Sequence, residues 1–185
     1  TGSPAAKKAN RYFAKFQDDP QNARIFPKRD VSAVLTAAVK AGMFTSEDPF
    51  ATPAAWFYDL DLMDYHISDM KGAFGDTFHH HVAIKANSVT SLLQMMYQRH
   101  GLGIECCSLG EVEQAFHCKV PADHIVYDSP CKTAAELDYC LLKKVFCNLD
   151  NYVDVERAAS IIAKHSLKFD DLGPIGIRIN PLVGA

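Results

Sequence analysis

The sequence predicts an α/β fold, a partial (β/α)₈ TIM-type barrel of about five parallel strands with their helices, preceded by a helical N-terminal extension. Three observations carry that prediction. From Phe78 onward, short apolar strands alternate with helices that are announced by capping signals. The first strand-to-helix turn, Lys85-Ala86-Asn87-Ser88, has none of the glycines that let a pyrophosphate approach the backbone of a dinucleotide fold. Polar residues, namely Lys85, Glu105, Ser108, Asp128, Asn148, Asp150, Arg178 and Asn180, fall at or just beyond strand C-termini, where barrel enzymes place their chemistry. Alternation alone fits an open doubly wound sheet equally well; the second and third observations favour the barrel.

Residues 4–17 and 31–41 carry helical patterns, the second with Asp30 as N-cap and Gly42 as its stop. Residues 1–51 are therefore expected to form an extension, and 52–185 the N-terminal part of a barrel truncated after its fifth strand. Residues 52–58 read as extended, and 61–74 as a helix with Leu62, Tyr65, Met70 and Phe74 near one face. Strands are expected at 80–84, 104–107, 125–127, 145–149 and 175–179. Between them, a helix over 89–100 ends at Gly101, and Ser108 with Glu111 and Thr133 with Glu136 have the spacing of capping boxes. Asn151 opens a helix over 152–165. Crossovers of this length imply parallel strands.

With 48 % hydrophobic residues the chain can build a sizeable core. A net charge of -3 gives no basic face for nucleic acid or anionic lipid, although Lys7, Lys8, Arg11 and Lys15 make the N-terminus locally positive. A small-molecule partner fits better. The six cysteines show no CxxC spacing, so neither a zinc site nor a disulfide framework is expected, and reduced thiols in the cytoplasm suit them. Neither an apolar run of membrane-spanning length nor a secretory signal is legible; because the chain begins at Thr1, a removed organelle-targeting segment stays open.

Strand alternation puts His79, His81, Ala83 and Lys85 on one side, so the Lys85 amine is expected to point into the barrel mouth. Low-dielectric walls there would disfavour its ammonium form and suit it to Schiff-base chemistry with an aldehyde. Of the three consecutive histidines, two at most can point inward, so a barrel-lining His81 is expected rather than a metal site. Adjacent strand side chains diverge, so Cys106 and Cys107 read as small buried residues rather than a disulfide.

The string His81-Val82-Ala83-Ile84-Lys85-Ala86-Asn87-Ser88 resembles the "YAVKANS" segment of the ornithine/diaminopimelate/arginine decarboxylase family, which shares its barrel with alanine racemases. Further resemblances follow in order. Gly101 to Ser108, with Gly110 and Glu111, is similar to the family's second strand and turn; Val120-Pro121 through Ile125 and Ser129-Pro130-Cys131-Lys132-Thr133 are similar to its "VPPERI…NPCK" stretch. Leu149-Asp150 and Ile177-Arg178-Ile179-Asn180-Pro181 are similar to the ends of its fourth and fifth strands.

This resemblance implies pyridoxal 5'-phosphate as cofactor, bound at Lys85, Ala83, Glu105 and Arg178, with Lys85 as the catalytic lysine. Glu105 stands where the family usually has the shorter aspartate. The implied reaction is decarboxylation of a basic or dibasic amino acid, of diaminopimelate, ornithine or arginine type, in lysine or polyamine biosynthesis. Ser-Pro-Cys-Lys leans toward the ornithine branch; Ala86-Asn87-Ser88 and the stretch from Arg178 to Pro181 lean toward the diaminopimelate branch. An antizyme-inhibitor-like regulator without activity and a racemase-like protein are the alternatives. The family's phosphate site, the partner of its pyridine nitrogen and its C-terminal β-domain lie further on, so the chain is expected to be an incomplete, inactive fragment of a homodimeric enzyme.

Overall fold

The computed structural model describes residues 31–43, 56–179 and 181. The chain divides into two units, Thr1–Tyr58 and Asp59–Ala185. In the first, α1 (Val31–Lys40) runs to a turn in which Gly42 adopts φ 72°, a left-handed conformation that glycine takes without strain. The expected helix over 4–17, Asp30 as its neighbour's cap, and residues 52–55 lie outside the described residues. Residues 56–58 belong to no regular element.

The second unit opens with α2 (Leu60–Phe74), capped by Asp59, whose carboxylate accepts the Leu62 N–H at 3.0 Å. There follow β1 (His81–Ala83), α3 (Thr90–His100), β2 (Gly103–Cys106), α4 (Leu109–His117), β3 (Ile125–Asp128), α5 (Ala134–Leu142), β4 (Phe146–Leu149), α6 (Tyr152–His165) and β5 (Ile175–Ile177). All five strands form one parallel sheet in the order β1-β2-β3-β4-β5. A doubly wound sheet reverses its strand order at a switch point, whereas uninterrupted chain order is the arrangement of a barrel wall.

Several of the described helix ends have a local cause. At α5 the predicted capping box is complete: the Glu136 N–H donates to Thr133 Oγ1 at 3.2 Å, and the Thr133 N–H to Glu136 Oε2 at 2.8 Å. At α4 only half of it forms. Ser108 Oγ accepts the Glu111 N–H, but the Glu111 carboxylate accepts from the Cys107 N–H at 2.6 Å instead of from Ser108. Asn151 caps α6, and Gly101 ends α3 at φ 65°.

The helix-facing side of the sheet is the core. Ile104, Cys106, Ile125, Tyr127 and Cys147 are fully buried there against Val112 and Ala115 of α4 and Leu137, Cys140 and Leu141 of α5. Burying one such aliphatic side chain is worth about 1.5–3 kcal/mol, so this layer dominates the unit's cohesion. Packing of α2 differs from expectation. Met63 and Ile67, four residues apart, lie against Met95, Met96 and Leu102, while Tyr65, Met70 and Phe74 are exposed. Alternative stripes were available because apolar residues occur around most of α2. A polar latch reinforces the packing, with Asp64 accepting from Arg99 at 2.8 Å and lying 2.6 Å from His100 Nε2.

Candidate functional site

Period-two alternation sends Val82, Ile104, Ile125, Tyr127, Cys147 and Leu149 toward the helices, leaving the other face of the sheet to a different set. Pairing runs Ala83 to Glu105 to Val126 to Phe146, and one level nearer the strand ends it runs Asp128 to Asn148 to Gly176. Gly176 has no room for a side chain, since a Cβ there would overlap the Asn148 amide and approach Phe146 at 3.0 Å.

The strand expected to continue through Ile84 stops at Ala83, and Ile84–Ala86 form a 3₁₀ turn closed by the Asn87 N–H donating to the Ile84 carbonyl at 2.9 Å. Ile84 is buried and anchors the turn, while the Lys85 side chain is 61 % exposed. Its Nζ lies 3.4 Å from Oε1 of Glu105, whose own side chain is 19 % exposed. The low-dielectric enclosure expected around this amine is not supplied by the described residues.

Arg178 follows β5 and continues its pairing, with its N–H donating to the Leu149 carbonyl at 2.9 Å. Its Nη1 lies 3.5 Å from Asp128 Oδ1, and its Nε 3.7 Å from Asp150 Oδ1. A cation just past β5 thus lies between a carboxylate at the end of β3 and one just past β4. Asp128 and Asp150 were legible as strand-end residues, but their pairing with Arg178 depends on strand register, which no local pattern encodes. Asn180 lies outside the described residues.

Cys106 is buried in the core as expected, whereas Cys107 is only partly covered. A hydrogen bond to Glu111 pushes the Cys107 thiol pKa up, with burial adding to it and the nearby Lys85 charge opposing it. At the opposite end of β1, the His81 ring occupies the space that a Cβ on Gly103 would need, and desolvation lowers its pKa. The Ser129 to Lys132 stretch is a loop and helix entry. Ser129 Oγ accepts the Cys131 N–H at 3.3 Å, and the fully buried Lys132 amine bonds to the Ser129 carbonyl and to Asp154.

Residues 60–185 match the family described as pyridoxal-dependent decarboxylase, pyridoxal binding domain. Diaminopimelate decarboxylase of Helicobacter pylori strain J99 is 31 % identical over 147 residues, covering 77 % of this chain and 35 % of that protein. Antizyme inhibitor 2 of Rattus norvegicus is 32 % identical over 84 residues, 45 % of this chain and 18 % of its own length. The crystal structure of H. pylori diaminopimelate decarboxylase complexed with L-lysine superposes with a TM-score of 0.64 at 26 % identity, over 77 % of this chain and 34 % of that one. This chain therefore spans about a third of the length of these decarboxylases. With a family match over residues 60–185 and a sheet of five parallel strands in chain order, the chain belongs to the pyridoxal-dependent decarboxylase family.

Proposed function

We propose that the protein carrying this chain decarboxylates a basic or dibasic amino acid with pyridoxal 5'-phosphate, and that Lys85 holds the cofactor. One observation carries the reading: a primary amine stands exposed just past the first strand, with a carboxylate as its neighbour on the same face. The described residues fit the aldehyde end of the cofactor. Lys85 offers an accessible amine, Ala83 a small surface beside it, Glu105 a charge on the adjoining strand β2, and Arg178 a charge just past β5, at the far edge of the same sheet.

When bound, the cofactor supplies an electron sink for the carbon that loses its carboxylate. Lys85 Nζ would hold the cofactor, and as a free amine it would carry a proton at that nitrogen. Glu105 Oε1 orients that amine, and Arg178, restrained by Asp128 and Asp150, keeps a positive charge on the same face. Similarity to a diaminopimelate decarboxylase solved with L-lysine supports a substrate of that size and charge. The domain division we propose is an N-terminal helical extension over 1–51 and the barrel portion from 52, with a homodimer as the working assembly and the cytoplasm as its place.

Borohydride reduction of the full-length, cofactor-loaded protein followed by peptide mapping tests this. A pyridoxyl adduct on Lys85 is expected, together with CO₂ release from diaminopimelate, ornithine or arginine that falls at least ~100-fold in Lys85→Ala. Similarity to antizyme inhibitor 2 favours a second reading, a regulator without activity, and an absent adduct with no CO₂ release would select it.

A further inference from the structure

Behind the sheet end that carries Asp128 and Asp150 sits a charged pair wholly removed from solvent. The Lys132 side chain is 0 % and that of Asp154 1 % exposed, with Nζ 3.3 Å from Oδ2. Each partner also grips backbone. Lys132 Nζ donates to the Ser129 carbonyl, one residue past the end of β3, and lies 5.7 Å from the Tyr127 ring centroid. Asp154 Oδ2 accepts the Asp150 N–H at 3.3 Å, one residue past the end of β4. Arg157 closes the arrangement, donating to the Lys132 carbonyl and lying 3.8 Å from Asp154 Oδ1.

The pair thus ties the loop after β3 to the loop after β4, and each loop begins beside a carboxylate that holds Arg178. We infer that Lys132 and Asp154 are positioning residues: they fix the spacing of Asp128 and Asp150, and through them the Arg178 guanidinium at the cofactor. This rests on the proposed placement of Arg178 in the cofactor site. Cohesion alone does not require the pair, since apolar residues of similar volume commonly replace a buried ion pair without loss of stability. What apolar side chains cannot supply are the two backbone anchors.

That distinction sets the experiment, made on the full-length protein with pyridoxal phosphate. Tm and the dissociation constant of pyridoxal phosphate are measured for Lys132→Met, Asp154→Asn, the double variant Lys132→Met with Asp154→Leu, Arg178→Gln, and Arg178→Gln combined with Lys132→Met. If either single variant fails to fold because it strands a buried charge, the double variant carries the test. The expected double variant melts near the wild-type temperature yet binds the cofactor roughly ten- to a hundredfold more weakly, as a displaced contact group would. Combining Lys132→Met with Arg178→Gln is expected to weaken binding no further than Arg178→Gln alone, because both act through one guanidinium. Wild-type affinity in the double variant, or losses that add in the combined one, overturn the positioning role while leaving Arg178 in the site. Unchanged affinity in Arg178→Gln overturns the placement of Arg178 itself, and the inference with it.

Discussion

The Lys85 amine pairs with the Glu105 carboxylate at 3.4 Å although the strand partner of Glu105 is Ala83, two residues earlier. The longer glutamate side chain reaches along the strand to the amine. Because Lys85 is 61 % exposed, solvent screens the pair, and its direct worth to stability is at most about 1 kcal/mol. Glu105→Gln is therefore expected to shift the urea midpoint by no more than that energy implies. A loss of several kcal/mol would show that the pair is enclosed rather than solvated.

Two glycines are expected to respond in opposite directions. Gly72 lies inside α2 with open space, nothing within 4 Å, around the point where a Cβ would stand, so Gly72→Ala should stabilise by about 0.5–1 kcal/mol through backbone entropy. Gly173 packs on the Lys144 and Val145 carbonyls, and a Cβ there overlaps backbone that cannot rotate away. Gly173→Ala should cost about 1–3 kcal/mol. Equilibrium denaturation of the two variants checks both signs.

Acid should loosen the latch between α2 and α3. The hydrogen bond from His100, followed by contact with Arg99, holds the Asp64 carboxyl below its ordinary 3.8, while desolvation acts the other way. A depressed folded-state value means that the contribution is complete above 3.8 and is lost as pH falls through the lowered value. Asp64→Asn is expected to melt earlier than wild type near neutrality, with the gap narrowing as pH falls below 3.8, and thermal melts on either side of that pH measure it.

Thiol labelling should separate the cysteines into three classes. Cys131 is exposed and should react first with iodoacetamide. Cys107, partly covered and with its pKa raised by Glu111, should react slowly and gain rate as pH rises. Cys106, Cys118, Cys140 and Cys147 are buried and should label only on unfolding. Mass mapping over time reads the order, and early labelling of Cys106 would contradict the packing of β2.

Caps and alternation made most of this fold legible. The helix that Asn151 opens was expected over 152–165 and spans those residues, and the described strands fall within two residues of the expected ends. The turn expected from Lys85 begins one residue earlier, because a buried Ile84 is as compatible with the end of a strand as with the start of a 3₁₀ turn. The packed stripe of α2 escaped because it is selected by Met95, Met96 and Leu102 across the gap rather than by α2 itself. Lys85, Glu105 and Arg178 stood out by position, but the partners of Arg178 come from two other strands, and the Lys132 and Asp154 pair joins residues 22 apart.

Strand parity has a consequence for how such a chain tolerates change. Neighbouring positions such as Ile104 and Glu105, or Tyr127 and Asp128, have opposite duties, so point substitutions on one side leave the other intact. Inserting or deleting a single residue within β2 or β3 exchanges those duties, driving a carboxylate into the oily interior and an isoleucine or tyrosine into water. Variation should therefore accumulate as replacements within strands of fixed length, with gaps confined to the loops between them.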